Sequence, residues 1–522
     1  MSAIAAPKVA LSRNATGPIP AVVVSAALAT VALVCGWKGG DLAGQVYRAD
    51  LVRHYGVILW SNLWFGGHPT LDYSVLVPMV GAVIGPVAVG VVASVASAFL
   101  VERLLRAHFG ASAAAGGLFF AVSTVTNLVV GRVTFGAGLA LGLGALLGLQ
   151  RNRPWTAATC GLLCALASPV AGVLLMIIAG AWGSVQRSRL PMTAAVIAAT
   201  FLPLLTVAIL FPTQGVFPFQ GWLLGWTLFV CAGLLVALPR EQVVLRRGVG
   251  LYSLACLAAF AVPNPLGGNI TRLAQYGAAP ILVCALWPAR RLLLLAVAVP
   301  LLVWQWVPAI DGIALAGSDP STRASFYTPL VEFLQSEEAG PSRIEIPVTR
   351  HHWESVYVGD TQSLARGWER QLDMGFNNVF YDDDPPLNAV SYERWLANMG
   401  VEYVALPTAP LDHTGVDEAR LLTSGLPYLR PIWSNRDWRV WRYDASPGLV
   451  SGPATLTELN ADSLTVDVTK PGDIVVRVRA SAHWSVPEPG CVTSDANGWI
   501  VLRGLSMGTN KVTQALGGNS CG

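Results

Sequence analysis

Acidic side chains are almost absent from the first 310 residues of the 522-residue chain. Of the 31 Asp and Glu residues, only five occur there: Asp41, Asp50, Asp72, Glu102 and Glu241. Charged residues make up 12% of the whole chain, about half the share that is usual in soluble globular proteins. A soluble fold of this composition would expose a large apolar surface, so we expect residues 1–310 to lie in a lipid bilayer.

Long basic runs, with which nucleic-acid-binding proteins neutralise phosphates, are absent as well. The formal net charge is only +3, and the sequence contains no RNA-binding motif. No nucleic-acid partner is therefore expected.

Apolar stretches of the length that a membrane-spanning helix needs dominate the first 310 residues. Eleven candidates lie at about residues 17–37, 78–101, 112–130, 133–150, 155–168, 170–185, 192–211, 221–239, 249–263, 273–288 and 291–308. Cytoplasmic loops are enriched in Lys and Arg. One side collects most of the basic residues, at Lys8, Arg13, Arg103, Arg106, Arg151, Arg153, Arg187, Arg189, Arg240, Arg246, Arg247, Arg290 and Arg291. This pattern predicts a bacterial plasma-membrane protein with a cytoplasmic N-terminus and an extracytoplasmic part from residue 311 onward.

The stretch 154–185 is the part of the chain in which the number of membrane spans is ambiguous. It contains two short apolar runs that are divided at Ser168-Pro169, where proline ends or kinks a helix. A hairpin of two short helices keeps the later basic clusters on the cytoplasmic side, whereas a single kinked span would invert them. A transporter-type broken helix is the functional alternative.

The last two-fifths of the chain have the pattern of a water-soluble protein. Helical and strand patterns alternate over residues 311–445, and period-two runs bounded by Gly and Pro fill residues 446–522. We therefore expect a membrane domain at 1–310 with a first external loop at 38–77, an α/β domain, and a small β-sandwich. Cys491 and Cys521 are the only cysteines in the soluble part, and an oxidising compartment would join them in a disulfide.

Three of the five early acids lie in the first external loop. Asp41 precedes a helical pattern over residues 41–55, which suits a short helix on the membrane surface, and it is also a preferred N-cap residue. Asp50 has Arg53 and His54 at helical spacing, which favours an ion pair. Asp72 lies in a proline-containing turn and is interpreted as structural.

An enzyme acting on a lipid-linked substrate at this face needs a base at membrane level, and the membrane region offers few other carboxylates. It also needs cations for a phosphate leaving group. Arg132 and Arg272 are the arginines on the external side beyond the first loop, and Arg48 lies within it. Interfacial snorkelling is the alternative role for Arg132 and Arg272.

The loop Trp60-Ser-Asn-Leu-Trp64-Phe-Gly-Gly-His-Pro69, with Gly131-Arg132 and Ser168-Pro169, resembles GT-C membrane glycosyltransferases. The likeness is to actinobacterial GT-C-like proteins and, more distantly, to arabinofuranosyltransferases of cell-wall assembly. It implies inverting transfer from a polyprenyl-phosphate-linked sugar to an envelope glycan or lipid acceptor. Asp41 matches the general base of the family, and Asp50 is the second candidate. The loop residues expected around the acceptor are Gln45, Tyr47, His54, Trp60, Trp64 and His68.

The sequence lacks the two adjacent acids that some subgroups carry in this loop, so a divalent metal (Mg, Mn or Ca) is left open and no cofactor is assigned. Two other metal candidates are weaker. The adjacent His351 and His352 would point to opposite faces of a strand, and Asp382–Asp384 suits either calcium or a solvated loop. Two other functions also remain open: a lipid-linked sugar transporter or flippase, and a non-catalytic envelope-assembly scaffold.

Overall fold

The computed structural model describes residues 20–212, 215–287, 291–337, 340–359, 361–381 and 386–521. Lys8, Arg13, Arg290 and the Asp382–Asp384 candidate lie outside the described residues. The described helices are α1 Pro20–Val34, α2 Leu42–Tyr55, α3 Leu76–Ile84, α4 Pro86–Phe109, α5 Ala113–Val130, α6 Val133–Gln150, α7 Pro154–Ala167, α8 Pro169–Val185, α9 Leu190–Leu210, α10 Gly221–Ala237, α11 Val243–Ala261, α12 Ala279–Leu286, α13 Arg291–Leu315, α14 Ala324–Glu337, α15 Glu354–Tyr357, α16 Arg370–Phe376, α17 Ala389–Met399 and α18 His413–Thr423.

The strands all follow α2. They are β1 Trp60–Ser61, β2 His68–Pro69, β3 Arg343–Glu345, β4 Ser363–Leu364, β5 Tyr403–Pro407, β6 Leu429–Ser434, β7 Trp438–Tyr443, β8 Val450–Ser451, β9 Ala454–Leu459, β10 Leu464–Val468, β11 Ile474–Arg479, β12 Trp484–Ser485, β13 Cys491–Ser494, β14 Trp499–Arg503 and β15 Gly508–Gln514. The chain divides into two compact units. Unit 1 holds residues 1–37, 87–206 and 218–314, and unit 2 holds residues 38–86, 207–217 and 315–522.

Unit 1 is helical, and helices cover the eleven predicted apolar stretches wherever the structure describes them, except that 78–101 is divided between α3, which lies in unit 2, and α4. Among the described residues, five helical stretches are long and apolar enough to cross a membrane: Pro86–Val130, Val133–Gln150, Arg187–Leu210, Val243–Ala261 and Leu292–Ala314. Four shorter apolar helices, α1, α7, α8 and α10, accompany them. The chain is thus a membrane protein, and its orientation in the bilayer stays a prediction.

The predicted break at Ser168-Pro169 separates two helices. Ser168 is extended (φ −156°, ψ 114°), and its side chain accepts a hydrogen bond from the amide of Ala171, so it caps α8. Pro169 occupies the first turn of α8, where its missing N–H leaves no helical hydrogen bond unmade. The prediction of two short helices rather than one kinked span is therefore confirmed.

Unit 2 contains a five-stranded mixed sheet in the order β4-β3-β5-β7-β6. Strands β4, β3 and β5 are parallel, whereas β7 runs antiparallel to both of its neighbours. Two four-stranded sheets follow, β12-β15-β10-β9 and β13-β14-β11-β8. The inward side chains of both fill one core, which makes them a sandwich. The predicted fold class, an apolar helical part followed by an α/β part and a β-sandwich, is confirmed.

The first loop folds within unit 2, where it pairs with the C-terminal part of the chain. The amide of Leu364 donates to Leu63 O (2.8 Å), and the amide of Phe65 donates to Leu364 O (3.1 Å). The predicted disulfide also lies in this unit, where Cys491 and Cys521 are bonded across 30 residues. The domain boundaries expected from the sequence remain predictions.

Candidate functional site

Asp41 lies immediately before α2, at the N-cap position. Its backbone is helical (φ −79°, ψ −11°), and within the described chain its side chain makes no capping hydrogen bond. The side chain is half-buried.

Trp368 fixes the first turn of α2. Its indole Nε1 donates to Gly40 O at 2.8 Å, and its ring covers Gly44 so closely that a Cβ there would lie 2.3 Å from a ring carbon. Only glycine leaves room for this contact. Trp368 thereby fixes the backbone on both sides of Asp41.

Asp50 forms the predicted ion pair with Arg53, three residues along α2. Both side chains are partly exposed, at 30% for Asp50 and 48% for Arg53, so the pair stabilises the fold by about 1 kcal/mol at most. The ring Nδ1 of His54 lies 3.0 Å from Asp50 O. These contacts give Asp50 and His54 a helix-stabilising role, and a catalytic role for Asp50 stays a prediction.

Arg48, a predicted phosphate ligand, is buried and ion-paired with Glu369. The exposed fractions are only 2% for Arg48 and 3% for Glu369. The guanidinium carbon also lies 4.5 Å from the ring centroid of Tyr73 and 5.2 Å from that of Trp368. These contacts give Arg48 a structural role, and its role as a phosphate ligand stays a prediction.

Burial governs the ionisation of the carboxyls around Arg48. It raises the pKa of Glu369, and the Arg48 guanidinium opposes the rise. Asp72 is buried too, and burial together with the Glu369 charge raises its pKa well above the usual range. The structural interpretation of Asp72 thus holds, although its surroundings are a buried ionic cluster rather than a surface turn.

Tyr47, Trp64 and His68 form a continuous stack. Ring centroids are 3.7 Å apart for Tyr47–Trp64 and 5.2 Å for Trp64–His68. All three side chains are buried, and burial lowers the pKa of His68 to about 3, which keeps it neutral. Gln45 is 3% exposed. These four residues therefore pack within unit 2, and their contacts with an acceptor stay a prediction.

Trp60 is the last of the six residues expected around the acceptor to be placed, and it is half-buried. Its main chain is anchored by Gln514, whose amide accepts from Trp60 N at 3.0 Å and donates to Trp60 O at 2.7 Å. Like the stacked rings, Trp60 therefore joins the first loop to the C-terminal part of unit 2.

The polar residues noted in the α/β part form a second buried network. Arg366 donates to Asp373 Oδ2 at 2.6 Å and to Glu418 Oε2 at 3.4 Å. Burial raises the pKa of Glu418 to about 7, against the opposing charge of Arg366. His351 contacts Asp319 at 3.0 Å. In the described part of the chain, no three His, Cys, Asp or Glu side chains are grouped as a metal site would require.

Arg132 and Arg272 both lie in unit 1. Gly131 ends α5 in the left-handed conformation (φ 89°), and Arg132 then begins α6 three residues before Phe135. The Arg272 guanidinium carbon lies 4.8 Å from the centroid of the Phe135 ring. The structure thus places Arg272 beside the Phe135 ring, and Arg132 precedes Phe135 by three residues in the chain.

An apolar cavity of about 280 Å³ lies within unit 1. Its walls come from α4, α6, α8, α11 and the segment 272–281, and Arg272 is among its few polar lining residues. Along α6 the lining runs from Phe135 to Leu146, a distance of roughly 16 Å. Long, mostly apolar pockets with a few convergent polar groups are typical ligand sites.

Sequence reasoning did not find this cavity. Val249 lines it, whereas Leu254, five residues further along α11, is 64% exposed. Both are apolar residues in one spanning helix, so composition cannot distinguish a side chain that faces lipid from one that faces a cavity. Arg272, an arginine on the predicted external side that lines the cavity, was the available signal.

No protein-family model matches the sequence, and comparison with curated proteins gives no match. Two solved structures are similar to it: ArnT from Cupriavidus metallidurans bound to undecaprenyl phosphate and the same protein in the apo state. The identities are 14% and 13%, the TM-scores are 0.45 and 0.44, and each match covers 82% of this chain. The matches cover 98% and 99% of the two ArnT chains. Likeness at this level assigns no activity to the chain.

Proposed function

We propose that this protein is a GT-C type glycosyltransferase. It moves a sugar from a polyprenyl-phosphate donor to a cell-envelope glycan or lipid at the extracytoplasmic face, with inversion in one displacement. The resemblance of the first loop to actinobacterial proteins and, distantly, to arabinofuranosyltransferases favours cell-wall assembly as the setting.

The cavity in unit 1 is the observation that carries this proposal. Its length and apolar walls suit an extended isoprenoid chain, which gains free energy by leaving water or disordered lipid for a preformed groove. Arg272 lies among the lining residues, and a guanidinium is the side chain best suited to bind a phosphate through two parallel hydrogen bonds. An isoprenoid phosphate is thus the ligand class that fits both features.

Asp41 is the proposed base. In the displacement it accepts the proton of the acceptor hydroxyl while the hydroxyl oxygen bonds to the anomeric carbon of the sugar. The bond from that carbon to the phosphate oxygen breaks, and polyprenyl phosphate leaves as the anion. Arg272, with Arg132 at the N-cap of α6, would stabilise the negative charge that develops on the phosphate.

The test is a deletion strain whose polyprenyl-phosphate sugars and envelope glycans are profiled together. Deletion should accumulate one lipid-linked sugar and remove the corresponding sugar from the envelope. Wild-type protein should restore both, whereas Asp41→Asn should restore neither, because an amide cannot accept the proton. Asp50→Asn separates the two candidate carboxylates, and it should restore both if Asp41 is the base.

An Asp41→Asn variant with full sugar transfer would reject this carboxylate as the base. A transporter predicts lipid movement between leaflets with the glycan unchanged in a reconstituted system. A scaffold predicts that wild-type protein and Asp41→Asn complement the deletion equally.

A further inference from the structure

One face of helix α5 changes from apolar to polar side chains along its length. Phe120 lines the apolar cavity, and Ser123, Thr124 and Asn127 follow at the spacings that place residues on one helical face. All three polar side chains are buried, with exposed fractions of 0%, 1% and 2%. Asn127 lies roughly 10 Å along the axis from Phe120. The face that borders the cavity therefore continues into a buried polar stretch.

Most polar groups in this region have partners. The Ser123 hydroxyl donates to Gln305 Oε1 at 2.5 Å, and the hydroxyls of Thr126 and Tyr276 are 2.9 Å apart. Tyr276 lines the cavity and lies in a π-helical turn, Ala274–Ala278. Such turns are rare and occur frequently at functional sites.

Asn127 is different from its neighbours. Neither its amide nitrogen nor its amide oxygen has a hydrogen-bond partner among the described residues. Buried side-chain amides are nearly always hydrogen-bonded, because burying one without a partner loses its bonds to water and gains none. The amide group can therefore bind a ligand that brings both a donor and an acceptor.

Asn127 is not among the residues that line the cavity, but it packs against α6 one residue from Phe135, which does line it. A Cβ at Gly136 would be 3.9 Å from the Asn127 Cβ, and Gly136 directly follows Phe135. The Phe135 ring is 5.9 Å from the Tyr276 ring and 4.8 Å from the Arg272 guanidinium. Asn127 is thus a near neighbour of the residues that would surround the head of a bound lipid.

We propose that Asn127 binds a hydroxyl group of the sugar on the lipid-linked donor, and so contributes to donor specificity; this rests on the proposed function. A carboxamide donates and accepts, as a sugar hydroxyl does. Ionised phosphate oxygens only accept and are matched by the Arg272 guanidinium. The neutral amide beside the cation therefore suits the sugar rather than the phosphate.

The test compares two kinds of probe on the full protein in nanodiscs. One is undecaprenyl phosphate, and the other is undecaprenyl phosphate carrying a single pentose or hexose. Wild-type protein should bind at least one sugar-bearing probe more tightly than the bare lipid phosphate. Asn127→Leu, which keeps the side-chain volume, should weaken binding of that probe about tenfold and leave the bare probe unchanged.

Thr227→Val is the matched control, since Thr227 is a fully buried polar residue of α10 whose hydroxyl bonds to its own helix. It should change neither affinity. The subsite is rejected if Asn127→Leu keeps the wild-type preference for the sugar, or if it loses both probes equally. Wild-type protein that binds every probe alike also rejects the subsite but leaves the lipid-phosphate proposal standing. Wild-type protein that binds no probe rejects the proposed function itself.

Discussion

Replacing Glu369 with glutamine tests whether the buried ion pair with Arg48 holds the first loop to the rest of unit 2. The substitution keeps the shape of the side chain and removes its charge. Both partners are at least 97% buried, so the variant leaves the Arg48 cation without its counter-ion in a site that water does not reach.

Removing one partner of a buried pair costs about 3–5 kcal/mol. The neighbouring Asp72 reduces this cost, because its pKa is held up by burial and by the Glu369 charge, and loss of that charge favours its ionisation beside Arg48. We therefore expect the free energy of unfolding to fall by about 3 kcal/mol, at the lower end of that range. Asp72→Asn alone should change the free energy of unfolding by less than about 1 kcal/mol. The double variant Glu369→Gln, Asp72→Asn should lose more free energy of unfolding than the two single variants together.

The assay is denaturant unfolding of the detergent-solubilised protein, followed by tryptophan fluorescence because Trp64 and Trp368 lie at this site. Asp50→Asn is the matched control: it makes the same chemical change in an exposed arginine pair and should lower the free energy of unfolding by about 1 kcal/mol at most. If Glu369→Gln is no more destabilising than this control, the buried pair does not hold the loop.

Three further predictions follow from single features of the structure. Val249→Trp fills the cavity and should weaken the binding of undecaprenyl phosphate at least about tenfold. The control Val236→Trp, at a position that is 86% exposed, should leave the affinity unchanged. Equal affinities of the two variants would contradict the lipid site. Gly44→Ala should lower the free energy of unfolding by about 1–3 kcal/mol, because the added methyl group overpacks against Trp368. The control Gly180→Ala, with open space around it, should not lower it. Equal melting curves of the two variants would contradict the contact between Gly44 and the Trp368 indole. Because burial raises the pKa of Glu418 to about 7 in the folded protein, the folded state binds more protons, so the free energy of unfolding should fall as pH rises from about 4.5 to 7. Glu418→Gln should flatten that slope, and an unchanged slope would assign it to another group.

Much of the fold could be predicted because local patterns carry it. The apolar stretches gave the helices of unit 1, and alternation over residues 463–468 and 474–478 matches β10 and β11. Helix α18 and strand β6 went unpredicted. The buried face of α18 is formed mainly by Thr414, Gly415 and Glu418, and three of the six residues of the edge strand β6 are exposed, so the spacing of apolar residues does not reveal either element.

The candidate site was harder to predict because its contacts are remote in sequence. From the sequence, Arg48 is interpreted as an available cation in an external loop, because its partner carboxylate, Glu369, lies 321 residues away. The sequence likewise predicts only loop positions for Tyr47, Trp64 and His68, and it does not indicate that their rings stack. Asp41 could be singled out from the sequence because so few carboxylates compete with it.

The most direct test of a lipid-linked donor is a cryo-EM map of the protein in nanodiscs with undecaprenyl phosphate. We predict density for the isoprenoid chain between α6, α8 and α11, beside Val249, with the phosphate within hydrogen-bond distance of the Arg272 guanidinium. A chain bound only on the outer surface of the helices, with the cavity closed by its own side chains, would contradict the account.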